Sequence, residues 1–292
     1  MKSLLNKNAS MSSAGEVALF REMIDILNHR GKKNVFCEEV HQHYVHFYDS
    51  NHKYVKCEIA DLLLFSLDSR TKKVRISFLQ AKREKKTLIA PLYKFKANFR
   101  QFDLLSQRYM VNSPQFPSHV LNFSSAQSLT TYGVFYNDSY NLVDFFYATA
   151  NQLQVQSTSK ISGPLILNPN LNGSSPLYTH YGYGRAKFKE AIVIDGIDAF
   201  EKDLLAWNIG AVIPNTWQSP ILYHCFNVAW HRLLSQNNGQ DFLNDNLALQ
   251  LRNLDSLADD YGVPIEQDMH EWFLDSALPT MAFVSCDSEE HD

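Results

Sequence analysis

The chain has 292 residues, of which 45% are hydrophobic and 13% aromatic, and its formal net charge at pH 7 is −4. This composition excludes an intrinsically disordered protein, because such chains combine low hydrophobicity with high net charge. Apolar runs such as residues 62–65 are too short to cross a bilayer, and the N-terminal residues show no signal peptide. We therefore expect a folded, cytoplasmic protein without a membrane segment.

The positive charge is concentrated in one stretch of the chain. Between residues 70 and 110, twelve Lys and Arg residues stand against only Glu84 and Asp103, so this stretch carries about +10 and the remainder about −14. Apolar and aromatic residues are interspersed with these charges, as in surfaces that contact phosphates. Residues 241–292 hold thirteen Asp and Glu against one Arg, and we do not expect them to touch nucleic acid.

The predicted elements begin with a helix over residues 13–29, whose apolar residues recur at helical spacing. A segment rich in Val, Tyr, Phe and His follows, and turn residues at 49–51 and 68–71 divide it into strands. A third strand is predicted at 73–82 and a second helix at 88–109. A helix, a meander of three strands and another helix indicate an α/β core.

The rest of the chain is predicted to complete this core and to end in helices. We divide the protein into a core with the catalytic motif, residues 13–155, and a second part, residues 156–292. The second part completes the core and adds a helix-rich C-terminal interaction region. The individual predictions are strands at 131–136 and 189–195, helices at 139–152 and 199–209, a loop at 156–175, and a mostly helical tail from residue 220 that includes 223–234 and 241–261.

Three polar residues interrupt the two apolar strands of the predicted hairpin. Side chains two apart on a strand share a face, so Gln80 and Lys82 project together. If the strands at 57–67 and 73–82 pair, Asp61 lies across from Gln80. A carboxylate, an amide oxygen and the Ala81 carbonyl would form an all-oxygen site suited to Mg²⁺ or Mn²⁺, beside which an ammonium can orient or deprotonate a water.

This pattern resembles the PD-(D/E)XK, or restriction-endonuclease-like, superfamily. In that family an acidic residue begins the second core strand and (D/E/Q)-x-K lies in the third. Ala60-Asp61 takes the place of PD here, and Gln80-Ala81-Lys82 takes the place of (D/E)-x-K. The proline is absent, a neutral glutamine replaces a charged ligand, and the match covers roughly residues 13–110. The resemblance implies a restriction-endonuclease-like core of helix, three-strand meander, helix and further strands.

The resemblance also implies roles for single residues. Asp61, Gln80 and the Ala81 carbonyl correspond to the metal ligands, and Lys82 to the group that orients or deprotonates the attacking water. The helix glutamate of the family corresponds to Glu16, with Glu22 as the alternative. Together these assignments predict Asp61, Gln80, Lys82 and Glu16 as the catalytic residues.

A nucleic-acid surface is expected beside this motif, where the basic stretch lies. Gln101, in the second predicted helix, could fix Lys82 or the scissile phosphate. Neutralising the lysines of this surface should weaken DNA binding across all sequences. The residues expected to contact DNA are Lys72, Lys73, Arg83, Lys85, Lys86, Lys94, Lys96, Arg100 and Gln101.

Glutamine in the motif is similar to the defence-associated branch of the superfamily, which includes CBASS effector endonucleases and nuclease subunits of anti-phage complexes. The resemblance implies a Mg²⁺-dependent endonuclease that cleaves double-stranded DNA in antiviral defence. Because an unrestrained nuclease would damage its host, we expect a regulatory partner such as an ATPase or SMC-like sensor, a second copy of the chain, or both. Two alternatives stay open: a catalytically inactive nuclease fold that serves as a scaffold or binding subunit, and a nuclease that acts on RNA.

The histidines and cysteines do not indicate a zinc site. His41, His43 and His46 crowd one segment, but no Cys or carboxylate lies at a fitting spacing to close a tetrahedral site. We interpret them as half-exposed strand residues. The four cysteines are scattered without a CxxC pair, which is typical of reduced thiols.

Overall fold

The structure is a computed structural model that describes residues 1–7, 9–30, 35–37, 44–68, 73–113, 116–122, 127–156, 161–168, 177–183, 186–213 and 280–286. Over these residues the protein is a mixed α/β structure, rich in strands, with three sheets and few helices. None of the helices in this part of the chain is long and apolar enough to cross a membrane.

Four α-helices and sixteen strands lie in the described residues. The helices are α1 (Lys2–Leu5), α2 (Glu16–Arg30), α3 (Phe99–Gln107) and α4 (Ile197–Leu205). The first eight strands are β1 (Val35–Cys37), β2 (Tyr44–Tyr48), β3 (Tyr54–Glu58), β4 (Leu62–Asp68), β5 (Val74–Arg83), β6 (Phe95–Asn98), β7 (Met110–Ser113) and β8 (Phe116–Asn122). The other eight are β9 (Thr130–Asn137), β10 (Val143–Thr149), β11 (Leu153–Val155), β12 (Ser162–Leu167), β13 (Leu177–Tyr183), β14 (Ala186–Asp195), β15 (Ala211–Ile213) and β16 (Thr280–Cys286).

The large sheet has nine strands in the order β1-β16-β4-β5-β9-β10-β14-β13, with β15 beside β5. β4 and β5 are antiparallel, with Leu62 opposite Leu79. β5 and β9 are parallel, and α3 lies in the chain between them. β16 runs parallel to β4, with Thr280 opposite Leu62. Strands from both predicted parts of the chain therefore share one sheet.

Both faces of the large sheet are covered. On one face, Leu79 and Phe135 belong to a core cluster with Met23 of α2 and Phe200 of α4. Tyr132 and other residues of the opposite face form a second cluster, to which α3 contributes. Because alternate residues of β5, β9 and β10 face these two layers, the strands are buried on both sides.

Two smaller sheets complete the described architecture. One contains β3-β2-β7-β8, and the other contains β11-β12-β6. α3 packs against β3 and β6, so this helix lies at the junction of the small sheets and the large one. Asn98, the last residue of β6, caps α3 by accepting a hydrogen bond from the Arg100 backbone nitrogen at 2.9 Å.

Several predicted elements are confirmed. The helix predicted at 13–29 is α2, and the predicted hairpin is the β4–β5 pair. Residues 57 and 58, predicted as the start of its first strand, belong to β3 instead, so the predicted three-strand meander is wrong: its strands are divided between two sheets. The strands predicted at 131–136 and 189–195 are found in β9 and β14, and the helix at 199–209 corresponds to α4. These segments share clear periodicity or a strong apolar run between turn residues.

The helix predicted over 88–109 is wrong in its first half. Residues 95–98 form β6, and the helix begins only at Phe99. In β6, Phe95 and Ala97 are buried while Lys96 and Asn98 are exposed, which is strand alternation. Pro91 lies upstream, where a helix interior would lose a backbone hydrogen bond.

Two further predictions in the middle of the chain are wrong. The segment 139–152, predicted as a helix, contains strand β10, all seven residues of which are buried. A strand covered on both faces has no alternation to distinguish it from a buried helix. Residues 162–167, predicted as part of a loop, form β12. The helices predicted at 223–234 and 241–261 lie outside the described residues.

Candidate active site

Asp61 lies directly before β4, opposite the end of β5. Its backbone nitrogen donates to the Leu79 carbonyl at 3.2 Å, so the hairpin ladder extends to this residue. The Asp61 carboxylate oxygen Oδ2 accepts the backbone N–H of Ala81 at 2.7 Å and also the amide nitrogen of Gln80. The structure thus brings Asp61 and Gln80 together at the end of the hairpin remote from its turn.

Lys82 lies between two carboxylates. Its Nζ is 4.0 Å from Asp61 Oδ2 and 3.8 Å from Glu16 Oε1, and it donates a hydrogen bond to the Ala81 carbonyl. Glu16 is the first residue of α2, which packs against β5. Of the two helix glutamates considered from the sequence, Glu16 is therefore the one that the structure pairs with Lys82.

The carboxylates of this cluster hold protons more tightly than free carboxyl groups do. Burial, together with the charge of Asp61, raises the pKa of Glu16 to about 7, although Lys82 acts in the opposite direction. Burial also raises the pKa of Asp61, against the lowering effects of Lys82 and of the hydrogen bonds from Ala81 and Gln80. Asp61 and Glu16 share the single ammonium of Lys82 in a desolvated site. A further cation bound beside them would therefore be electrostatically favourable.

A third carboxylate, Glu58, interacts electrostatically with Asp61, Lys82 and Glu16, and it is not among the site residues predicted from the sequence. Its pKa is raised to about 7 by burial and by the charges of Asp61 and Glu16, while Lys82 lowers it. Glu58 ends β3, three residues before Asp61. That short spacing between two carboxylates at neighbouring strand ends was the signal that could have revealed it.

Gln101 connects α3 to the site. It is only 6% exposed, and its Nε2 donates to the Gln80 amide oxygen and, at 3.2 Å, to the Glu58 carbonyl. From the sequence we expected Gln101 to fix Lys82 or a phosphate. The structure instead places Gln101 behind Gln80, where it orients that amide.

The oxygen donors near Lys82 are of the type that Mg²⁺ prefers. Within the described residues, no group of three or more His, Cys, Asp or Glu side chains is arranged to hold a metal ion. The Gln80 amide directs its nitrogen to Asp61 and its oxygen to Gln101, so this side chain does not present its oxygen beside Asp61 in this arrangement. The Asp61 carboxylate, the Ala81 carbonyl and the Glu16 carboxylate are hard oxygen ligands with excess negative charge, and this donor chemistry fits a hard dication.

Three of the basic residues beyond Lys82, together with Glu84, line a groove of about 840 Å³. Lys86, Lys94 and Lys96 contribute its positive charge, and its apolar lining includes Leu88 and Phe95. Lys85 and Arg100 are also exposed. Lys73 lies elsewhere, with its Nζ 4.3 Å from the centre of the Phe188 ring. Lys72 lies outside the described residues.

Arg83, expected to contact DNA, is held by protein atoms. Its guanidinium donates to the Ser12 carbonyl at 2.9 Å and to the Asn137 side chain, which ties the segment before α2 to the sheet. Burial lowers the pKa of Arg83. Arg75, another cation of the basic stretch, is only 1% exposed and donates to the Gly210 carbonyl at 2.7 Å. These two residues therefore stabilise the fold rather than charge its surface.

The candidate site draws on four parts of the fold. Glu16 comes from α2, Asp61 from the residue before β4, Lys82 from β5 and Gln101 from α3. These parts are separated in the chain by up to eighty-five residues and meet at one end of the hairpin. The chain was compared with protein-family models, with curated proteins and with solved structures, and none of the three comparisons gives a match.

Proposed function

We propose that the chain is a metal-dependent endonuclease that hydrolyses phosphodiester bonds of double-stranded DNA through a restriction-endonuclease-like site. The observation that carries the proposal is the meeting of Asp61, Lys82 and Glu16, with Lys82 Nζ 4.0 and 3.8 Å from the two carboxylates. Partly buried carboxylates beside an amine, with a basic groove nearby, suit the cleavage of an anionic ester.

Each group of the site has a distinct role in this proposal. Asp61 and the Ala81 carbonyl would hold Mg²⁺ or Mn²⁺, which would neutralise charge on the phosphoryl oxygen and the leaving oxygen. Lys82 Nζ would orient the attacking water by donating a hydrogen bond to it. Glu16, with a pKa of about 7, is suited to accept the water's proton at Oε1 because its pKa matches neutral pH.

The groove beyond β5 supports the choice of a polyanionic substrate. Lys86, Lys94 and Lys96 line it. Glu84, which also lines the groove, is two residues after Lys82 in the chain. Lysines contact phosphates as point charges without regard to sequence. We further propose, from the motif resemblance, that the enzyme serves antiviral defence under the control of a partner subunit or a second copy of itself.

Cleavage of supercoiled plasmid in Mg²⁺ tests this function. Lys82→Ala should abolish nicking and linearisation, while Lys202→Ala, which removes an exposed lysine of α4, should leave both unchanged. EDTA should stop the reaction. Thermal unfolding gives an independent readout: Mg²⁺ should raise the Tm of the wild type and not that of Asp61→Asn. Cleavage that survives Lys82→Ala would overturn the catalytic assignment.

A second function has one observation in its favour. The Gln80 amide is bonded at both ends, to Asp61 and to Gln101, as in a polar network that only holds a core together. A catalytically inactive subunit with this fold would bind DNA but show no Mg²⁺-dependent cleavage and no Mg²⁺-dependent rise in Tm. Side-by-side digestion of DNA and RNA of the same sequence tests the remaining alternative, an RNA nuclease.

A further inference from the structure

The hairpin of β2 and β3 has one buried and one exposed face. Val45 and Phe47 of β2 and Cys57 of β3 are buried. The Phe47 ring stacks on Tyr109, with centroids 5.2 Å apart, and α3 packs against β3. Because side chains alternate along a strand, the intervening residues project from the opposite face of the hairpin.

This opposite face carries four rings and one lysine at close spacing. In the strand register, Tyr48 lies opposite Tyr54 and His46 opposite Lys56. The Tyr54 ring centroid is 5.4 Å from that of Tyr48 and 5.0 Å from that of His46, and Lys56 Nζ is 4.7 Å from the Tyr44 ring centroid. We call these five residues the aromatic face.

Two rings of the aromatic face are largely open to solvent. Tyr48 is 62% and Tyr54 61% exposed. Single exposed aromatics are common on protein surfaces, but a contiguous group of them marks an interaction site. A tyrosine ring supplies a large contact area when a partner covers it. The Tyr48 and Tyr54 rings are available for such a contact.

The aromatic face continues into the candidate active site. Tyr44 lies opposite Glu58, which interacts electrostatically with that site and whose backbone carbonyl accepts the hydrogen bond from Gln101 at 3.2 Å. Tyr48 lies four residue steps along β2 from Tyr44, so the face extends for about 13 Å away from Glu58. A ligand bound along the hairpin would therefore lead towards Asp61 and Lys82.

We infer that the aromatic face binds single-stranded DNA, with unpaired bases stacked on Tyr48 and Tyr54 and with Lys56 against a phosphate. The inference rests on the proposed nuclease function and narrows its substrate to duplex DNA that carries an unpaired segment, such as a flap, a frayed end or a junction. The aromatic face holds the unpaired strand and directs its junction with the duplex towards the candidate active site.

Stacking explains why the occupant is a single strand. Every base presents a π-face, so aromatic side chains hold successive bases without reading sequence, while neighbouring cations track the backbone. A continuous duplex hides its base faces in its own stack. The charge also fits, because Glu58, at the site end, is the one carboxylate among the six outward positions of β2 and β3.

Fluorescence anisotropy with an end-labelled single-stranded DNA, measured in EDTA to prevent cleavage, tests the inference. Changing both Tyr48 and Tyr54 to Ala should raise the Kd about 100-fold, or about tenfold for each ring lost. Changing both to Phe should preserve binding, because the rings remain. Tyr140→Ala is the matched control, since Tyr140 is 83% exposed in the turn between β9 and β10.

An unchanged Kd in the double Ala variant would overturn the inference, and so would an equal loss in Tyr140→Ala. Tighter binding of a blunt duplex or of RNA than of single-stranded DNA would overturn it as well. The anisotropy readout does not depend on cleavage. If Lys82→Ala leaves cleavage intact while the Tyr48 and Tyr54 variants lose binding, the catalytic proposal fails and the aromatic face stands. If Lys82→Ala abolishes cleavage while the Tyr48 and Tyr54 variants bind single-stranded DNA as the wild type does, the inference about the aromatic face fails and the catalytic proposal stands.

Discussion

The side-chain nitrogen of Gln101 in α3 donates a hydrogen bond to the side-chain oxygen of Gln80 in β5. Gln80 in turn donates to Asp61, so one line of amides runs from the helix to the carboxylate. Both glutamines are nearly fully buried. The position of Asp61 therefore depends on a helix that follows it in the chain by about forty residues.

Replacing Gln101 with Leu should lower both stability and cleavage. The substitution leaves the Gln80 oxygen buried without its donor, which costs about 1–3 kcal/mol, and it frees the amide that orients Asp61. Urea unfolding and plasmid cleavage measure the two effects. Gln107→Leu, at an exposed position of the same helix, should change neither. Equal behaviour of the two variants would contradict the orienting role of Gln101.

Glu16→Gln should make stability less sensitive to pH between about 4.5 and 7. In the folded protein the pKa of Glu16 is raised from 4.5 to about 7, so folding is favoured while the group is protonated. That stability is fully present below pH 4.5 and is lost as the pH rises through 7. The free energy of unfolding of Glu16→Gln should therefore exceed that of the wild type by about 1–2 kcal/mol at pH 8, after allowance for solvent screening.

Chemical unfolding in EDTA at pH 4.5 and pH 8 measures this difference. Glu22→Gln, further along α2, controls for the removal of a carboxylate from the helix. A Glu16→Gln variant that is no more stable than wild type at pH 8 would show that burial of Glu16 carries no such free-energy cost. The same variant should lower Mg²⁺-dependent cleavage, because the proposed proton acceptor is gone.

The groove lysines should set the salt dependence of DNA binding. Changing Lys86, Lys94 and Lys96 to Gln should reduce the slope of log K against log salt concentration by roughly 2–3, because each phosphate contact contributes about 0.9. The loss should be similar for unrelated duplex sequences. Anisotropy titrations at several salt concentrations measure the slope. Lys7→Gln with Lys202→Gln, which remove exposed lysines elsewhere, should leave it unaltered; an equal change there would argue against a localised surface.

Arg75→Leu should destabilise the fold strongly without affecting the chemistry directly. Arg75 NH1 lies 3.9 Å from Glu190 Oε1, its guanidinium lies 4.3 Å from the centre of the Trp207 ring, and it donates to the Lys189 carbonyl at 2.8 Å. Removing one member of a buried pair leaves an uncompensated charge and costs about 3–5 kcal/mol. Adding Glu190→Gln should recover part of the loss in urea unfolding. A single variant as stable as wild type would contradict this.

The part of the site that follows from local geometry could be predicted from sequence. A turn between two apolar runs sets the hairpin register, and strand alternation then places Asp61 opposite Gln80 with Lys82 on the same side. Glu16 could be expected because it begins the helix before the strands. These inferences need only the order of elements and the two-residue repeat.

The other features of the site and fold depend on long-range packing, which no local sequence pattern predicts. Gln101 donates to the Glu58 carbonyl because α3 packs against β3, a long-range contact that no local sequence pattern predicts. β10 is covered on both faces, so its apolar run carries no alternation. Arg75 and Arg83 look like surface charge in the sequence, but carbonyl oxygens from distant segments surround them.

β16 fills the place between β1 and β4, and its Thr280 lies opposite Leu62, the residue after Asp61. During translation, more than two hundred residues must be added after Leu62 before that neighbour exists. Until then the strand headed by Asp61 has an open edge, and open edges recruit other strands. A chain whose synthesis stops before residue 280 would keep this edge of β4 unpaired, so we expect it to aggregate more readily than the finished protein.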